Sequence, residues 1–318
     1  MAFGAASGAL LGHAQVQSRV ARVGILTTFE NLTPEAAART PVFIRLRELG
    51  WEDGRNLLIE RRSARPGRDL ARDARELAAL KLDVMYVLGG PSIRAAKAEI
   101  KTTPIVMMTV GDPRRAGLVD NLARPEGNIT GVGGFTVDLS AKRLELLKET
   151  APRLVRLAVI GNPANTNLPA LFAELQQKAR ALGIDARLYE VRNAAAMDAA
   201  FAEMASAKSQ AVTSVPDPVV AGLYQRIVEM AERLKLIGIY EGAHFAEAGG
   251  LMAYGPNYDE MTRSAANYVD KILRGAKPGD LPIELPTKFV MAVNLKTARR
   301  MGITIPQGVL LRADRVIE

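Results

Sequence analysis

The sequence predicts an α/β protein made of two doubly wound parallel-sheet lobes joined by a three-crossover hinge. Three observations carry that expectation. Short, continuously apolar segments such as Val84–Leu88 and Ile105–Val110 suit strands buried on both faces. They alternate with amphipathic segments, as expected where helices cover both sides of a parallel sheet. The alternation runs through twice and leaves one late helix and strand over, so the chain must recross between two layers.

Taken in order, Arg22–Thr27 is a first buried strand, followed by a polar loop over Thr28–Pro34. Thr40-Pro41 opens a helix with a cap residue and a proline at its first position, and Leu49-Gly50 closes it. Asn56–Arg62 alternates more and reads as a strand nearer a sheet edge. Arg68–Lys81 gathers Leu70, Ala74, Leu77 and Ala78 on one helical face. Val84–Leu88 then runs through Gly89-Gly90-Pro91-Ser92 into the helical segment Ile93–Lys101. Ile105–Val110 ends in Gly111-Asp112-Pro113, and the glycine-rich Ile129–Phe135 completes five strands.

The second series begins with a helix over Asp138–Ala151, capped by Asp138 and carrying Lys148 in its last turn. Leu157–Gly161 ends in the polar turn Asn162–Asn167 before another helix. Asp185–Val191, Ala211–Val215 and Ile237–Tyr240 are further strands, with helices at about 194–207 and 217–235 between them. Leu251–Pro256 leads into the helix Tyr258–Arg274, which Gly275 and Pro278 stop. Phe289–Glu318 holds one more strand, a short helix and an irregular end. One lobe is therefore expected from residues 21–135 plus about 255–282, and the other from 136–254 plus about 283–318.

Bulk properties exclude several function classes. A chain of 318 residues, half hydrophobic and a quarter charged, is globular and large enough for two domains. With no cysteine there is no disulfide, thiolate metal site or cysteine nucleophile, and His13 and His244 are too few for a histidine metal site. The net charge of +8 is spread over helices and mixed with acids, as in Arg68–Arg75 and Lys142–Lys148, so it reads as a solvated exterior rather than a nucleic-acid surface. No apolar run approaches the ~20 residues of a membrane span. Residues 1–20 stand apart: Ala2–Gly12 is small and apolar and His13-Ala14-Gln15 resembles a cleavage site, but the charged start of a secretory signal is missing. This stretch is read as a signal-peptide-like leader, the alternative being a plain terminal tail.

The chemistry concentrates at strand ends, where open parallel sheets bind ligands. Gly89-Gly90-Pro91-Ser92 lacks the GxGxxG spacing, and no GxxxxGK[ST], GxSxG or HExxH occurs, so no cofactor is expected and no nucleophile is singled out. The turn at Gly90, Pro91 and Ser92 does start a helix whose free N–H groups favour a carboxylate, with the Ser92 hydroxyl as an added donor. Asp112, Asp217 and Glu241 could accept from an ammonium or hydroxyl group. Asp112 and Asp217 could equally serve only their own turns. Phe29, beside Thr28, and Tyr240, Tyr254 and Tyr258 could cover an apolar ligand face or simply pack in the core. Trp51, in a turn before a strand, reads as a structural anchor.

Five segments carry a family resemblance. Leu46–Arg62, Gly111–Gly131, Gly161–Asn165, Ala248–Tyr258 and, most specifically, Tyr268–Pro306 resemble the substrate-binding proteins of ABC importers, the group that includes TrpX-type aromatic amino acid binders. The resemblance implies a type I periplasmic binding protein fold and a monomer that closes on a small carboxylate-bearing solute, an amino acid or aromatic acid, without catalysis. It further implies a periplasmic location and a membrane permease with its separate ATPase as partner. Ser92 and the adjacent helix start would then hold a carboxylate and Asp112 an amine or hydroxyl, with Asn165, Thr166, Asp217 and Glu241 closing from the other lobe. The chain departs from the family pattern at Gly90-Pro91-Ser92, where Thr-Pro is common. It departs again at Arg114-Arg115, where small apolar residues usually follow Asp-Pro. Arg114 would favour a second acidic group on the solute or face solvent. Two other readings stay open: a ligand-sensing domain of the same fold acting in signalling, and an α/β enzyme in the cytosol, for which no catalytic residue is nominated.

Overall fold

The computed structural model describes residues 20–27, 33–63, 69–109, 111–114, 116–125, 127–134, 137–165 and 167–318. The leader-like residues 1–19 and the expected site residues Thr28, Phe29 and Thr166 lie outside them, as does Arg115.

The first half alternates β1 (Ala21–Thr27), α1 (Pro34–Ala38), α2 (Pro41–Glu48), β2 (Leu57–Ser63), α3 (Leu70–Ala78), β3 (Val84–Leu88), α4 (Gly90–Glu99), β4 (Ile105–Met108) and β5 (Ile129–Val132). Its five strands are all parallel, in the order β2-β1-β3-β4-β5. The apolar run of β3 shows why such a strand needs cover on both sides. Val84 and Tyr86 face a core shared with α2 and α11 (Tyr258–Leu273), while Met85 and Val87 face one shared with α3 and α4. Gly131 in β5 has a φ of 132°, and a Cβ there would overlap the backbone of Met107 on the neighbouring strand. Only glycine lets β4 and β5 approach in that way.

The second half runs α5 (Val137–Thr150), β6 (Arg156–Gly161), α6 (Leu168–Ala181), β7 (Asp185–Glu190), α7 (Ala194–Ser206), β8 (Ala211–Ser214), α8 (Pro218–Gly222), α9 (Tyr224–Arg233), β9 (Ile237–Tyr240), α10 (Ala243–Glu247) and β10 (Met252–Pro256). After α11 come β11 (Phe289–Asn294), α12 (Leu295–Met301), α13 (Gln307–Leu310) and β12 (Arg315–Ile317). The seven-stranded sheet has the order β12-β11-β10-β9-β8-β6-β7. Along β6, Leu157 and Val159 face the core lined by α5, α6, α12 and α13, and Ala158 and Ile160 face the one lined by α7, α9 and α10.

Several elements differ from expectation. The single helix expected at 217–235 is two, α8 and α9, with the break at Gly222-Leu223. α1 and α10 are short and have no periodicity to betray them. The C-terminal end is not irregular, because Arg315–Ile317 pairs in parallel with β11. Two strands run against the rest: β11 is antiparallel to β10, and β12 follows the direction of β11. The physical reason is the path of the chain. β10 ends where the chain leaves for α11, and β11 begins where it comes back, so β11 must run away from the end that β10 runs towards.

The chain passes between the sheets three times, after β5, after β10 and before β11. These passages are tied together. Gly133 N–H donates to the Glu284 carbonyl and Glu284 N–H to that of Gly131, while Asn257 N–H donates to the Lys288 carbonyl, all at 2.9–3.0 Å. The outer strands are charged or covered. β2 carries Glu60, Arg61 and Arg62, and β7 carries Asp185, Arg187 and Glu190. The open side of β5 is met by the segment around Glu284, which bridges to Val132. Trp51 anchors the first half, its Nε1–H donating to Asp270 Oδ1 at 2.8 Å.

Candidate functional site

In the first sheet, β1, β3 and β4 finish level with one another, since Thr27 pairs with Leu88 and Leu88 with Met108. Leu88 leads into Gly89, whose φ of 84° turns the chain sharply into α4. Gly90 and Pro91 are the first helical residues, a position where the missing proline N–H costs nothing. The opening N–H groups of α4 therefore point beyond the end of β3, as a helix start beyond a strand must. Ser92 sits in this first turn. It is fully buried, and its Oγ has no hydrogen-bond partner among the described residues. A buried orphan hydroxyl is costly, by about 1–3 kcal/mol, and at a helix start it is a donor waiting for an acceptor.

Asp112 lies in the turn after β4, and that turn engages it. Its Oδ1 accepts from Arg114 N–H at 2.8 Å, and its Oδ2 pairs with the Arg114 guanidinium at 3.4 Å. Arg114 is half exposed and lies back on its own turn.

The second sheet presents side chains instead. Asn162, directly after β6, is buried; its Nδ2–H donates to Asp217 Oδ1 at 3.1 Å and its Oδ1 accepts from Ala164 N–H. Asp217 also caps α8, its Oδ1 accepting from Val219 N–H at 2.8 Å. Asn165 shapes its own turn, accepting from Asn167 N–H, and its amide reaches the Pro216 carbonyl at 3.5 Å. Ser214, the last residue of β8, donates from Oγ to Glu241 Oε2 at 2.5 Å, and Glu241 is 3 % exposed at the end of β9. Gly255 on β10 is required here, because a Cβ would overlap the Glu241 carbonyl oxygen.

The structure thus brings Asn165, Asp217 and Glu241 to the ends of adjacent strands, β6, β8 and β9. Tyr254 stands on the next strand, β10, one residue past the pairing of Ala253 with Tyr240. Tyr254 is half-buried against the core under α5, its ring stacked on Phe289 with centroids 6.3 Å apart. Tyr240 is fully buried, stacked on Phe245 at 4.6 Å, and packs in the core. Tyr258 meets the His244 ring edge-on at 6.0 Å. Burial pulls the His244 imidazole below its ordinary pKa, with Glu241 and Glu247 acting in the other direction.

Three buried polar groups at these strand ends escaped sequence reasoning: Asn162, Ser214 and Arg143. Arg143 is the most informative. It lies within a stretch read as solvated exterior, yet it is only 3 % exposed and donates from Nη1 to the Tyr254 carbonyl at 3.1 Å. Burial draws its pKa down, and the nearby negative charge of Glu241 opposes that. The signal was present in the spacing. Arg143 stands four residues after Leu139 and three before Leu146, on the apolar stripe of α5. Among the described residues, no group of three or more histidine or acidic side chains is placed to hold a metal ion.

Residues 36–317 match the family model described as ABC transporter substrate binding protein. A tyrosine-binding protein from Clostridioides difficile is 24% identical over 260 residues, covering 81% of this chain and 74% of that protein. Among solved structures, a conserved domain protein from Vibrio cholerae is 28% identical, with a TM-score of 0.84 over 94% of this chain and all of the other. A Streptococcus ABC domain in complex with L-Trp is 24% identical, with a TM-score of 0.82 over 93% and 99%. The ligand-free, open structure of a Clostridium difficile substrate binding protein with adhesive properties is 26% identical, with a TM-score of 0.65 over 94% and 99%.

Proposed function

We propose, for a chain that belongs to the family of ABC transporter substrate binding proteins, a role as the exported component of an importer that captures a small carboxylate-bearing solute between its two lobes. The solute is an amino acid or an aromatic acid. Relatives described as tyrosine-binding and as a complex with L-Trp support that class. The lobes would be residues 21–135 with about 255–282, and 136–254 with about 283–318, and rotation about the three tied passages would close them. A membrane permease with its own ATPase would receive the solute from a monomeric, periplasmic carrier that performs no catalysis.

The observation that carries the reading is Ser92: a fully buried hydroxyl with no partner, in the first turn of a ten-residue helix that starts beyond a central parallel strand. Helix starts stabilise anions, and a carboxylate would satisfy both the backbone donors and the hydroxyl. Asp112, Asn165, Asp217 and Glu241 would supply the acceptors for the rest of the solute. The remaining lone pairs of Asp217 and Glu241, beyond those used by Asn162, Val219 and Ser214, are the ones a solute would take.

A thermal-shift screen of the amino acids and aromatic acids tests this. Ligand at about a hundred times its Kd stabilises by about 2.7 kcal/mol, which reads as a rise of several degrees in a chain of this size. Folded protein that none of them stabilises would sink the proposal.

A further inference from the structure

The second wall holds two opposite charges that do not touch. Arg143 is buried at 3 % exposure and forms no ion pair among the described residues; its guanidinium donates to a backbone carbonyl. Glu241 is as deeply buried, and its fixed partner is the neutral hydroxyl of Ser214. The carbonyl that Arg143 bonds precedes Gly255, which packs on the backbone of Glu241, yet among the described residues no ion pair joins the two charges. Taking a guanidinium out of water costs several kcal/mol unless a partner repays it. A fold that needed only a donor for the Tyr254 carbonyl would find a neutral one cheaper. Arg143 also comes from α5, the first helix after the chain enters this lobe, and its carbonyl partner is on β10, just before the chain leaves. It is therefore placed by the hinge side of the strand ends, beside Glu241 at the end of β9.

We propose that Arg143 is the anion-binding side chain of the second lobe, receiving the solute carboxylate, and that Glu241 receives the solute's ammonium or other positively charged group. This rests on the solute-binding reading above and gives it a second contact. A carboxylate has two oxygens and about four lone-pair sites, so one oxygen serves the α4 start and Ser92 while the other serves the guanidinium. Closure and charge recognition then become one event, because the carboxylate completes a site that neither lobe has alone. A planar guanidinium suits this task better than an ammonium, since its rigid fork of donors can hold the Tyr254 carbonyl and a solute oxygen at once.

The test uses the whole protein and four probes: L-tyrosine, tyramine, L-tryptophan and tryptamine, the amines being the same molecules without the carboxylate. Arg143→Met keeps length and packing and removes charge. It is expected to weaken either amino acid about a hundredfold and leave the weaker amines unchanged, so that acid and amine bind alike. Arg143→Lys is expected to restore part of the acid's advantage, and Glu241→Gln to weaken amino acid and amine together. Equal acid binding by Arg143→Met and wild type overturns the proposal, as does an equal loss for acid and amine. Should wild type bind none of the probes, the solute reading has failed for this class, and the ligand-free melt decides Arg143 by itself. Methionine ends the cost of burying a charge with no ion-pair partner but leaves the Tyr254 carbonyl without its donor, so the variant melts within about 3 °C of wild type. A fall of about 3 °C or more makes Arg143 a structural anchor and overturns the assignment.

Discussion

In the first sheet the open polar groups at the strand ends come from one short run, Gly89 to Ser92, and most of what they offer is backbone, Asp112 being engaged by its own turn. In the second they come from α5, β6, β8 and β9, and nearly all of it is side chain: Arg143, Asn162, Ser214 and Glu241. The difference extends to how each wall is satisfied. Ser92 is buried with nothing to bond, whereas Asn162, Asp217, Ser214 and Glu241 are already bonded to one another or to their own turns. One wall is a set of donors left open by helix geometry. The other is a fixed lattice of acceptors whose positions are set before any solute arrives. A rigid, pre-bonded wall costs less to order on binding than a loose one, and an open helix start needs no side-chain ordering at all.

Substitutions can separate the two. The largest expected effect is Gly255→Ala, which drives a methyl into the Glu241 carbonyl and must part β9 from β10; unfolding in urea should show a loss of about 3 kcal/mol. Ser214→Ala removes the hydroxyl that holds Glu241 and leaves a buried carboxylate short of a donor. Its cost should be about 2 kcal/mol by the same measurement. Ser92→Ala is the converse case. Because nothing bonds its hydroxyl, stability should stay level or rise by about 1 kcal/mol, while affinity for a carboxylate-bearing solute falls about tenfold. A loss of stability on Ser92→Ala would erase the contrast between the walls.

The smallest effect is on pH dependence. His244 packs among Tyr224, Phe245 and Tyr258, with Glu241 and Glu247 as the nearest acids and Arg315 paired to Glu247. Its folded pKa is depressed, so the neutral imidazole is the form the fold prefers. Above the unfolded value of about 6.5 both states are neutral and nothing is lost. As pH falls below it, the unfolded chain takes up a proton that the folded one resists, and stability declines. Denaturation at pH 7.5 and 5.5 should show this slope, and His244→Gln should flatten it.

The sequence made the first wall legible because its determinants are consecutive: a strand, two glycines, a proline and a serine state the helix start directly. The sheet order at the edge was legible too, since the alternation in Asn56–Arg62 matches the outermost place of β2. The second wall was legible only in part. Asp217 and Glu241 stand at strand ends and were visible there, but their pairing with Asn162 and Ser214 is set by strand order, which puts β8 between β6 and β9. Arg143 was hidden by its neighbours: Lys142 and Glu145 are exposed and paired to each other, so the local composition reads as surface. Tyr254 shows the opposite limit, because a ring beside a strand end points to either face, and only the register with Met291 places it over the core.

The rims of both sheets bear on a different property, behaviour in a crowd. A bare strand edge is a template for another copy to extend, and extension of that kind ends in aggregates. Here β2 and β7 carry alternating charges, β5 is blanketed by the Glu284 segment, and β12 is only three residues long with Arg315 paired to Glu247. Molecules of this chain meeting edge to edge therefore face repulsion or obstruction at every rim, and dispersal at high density is built into the same two sheets.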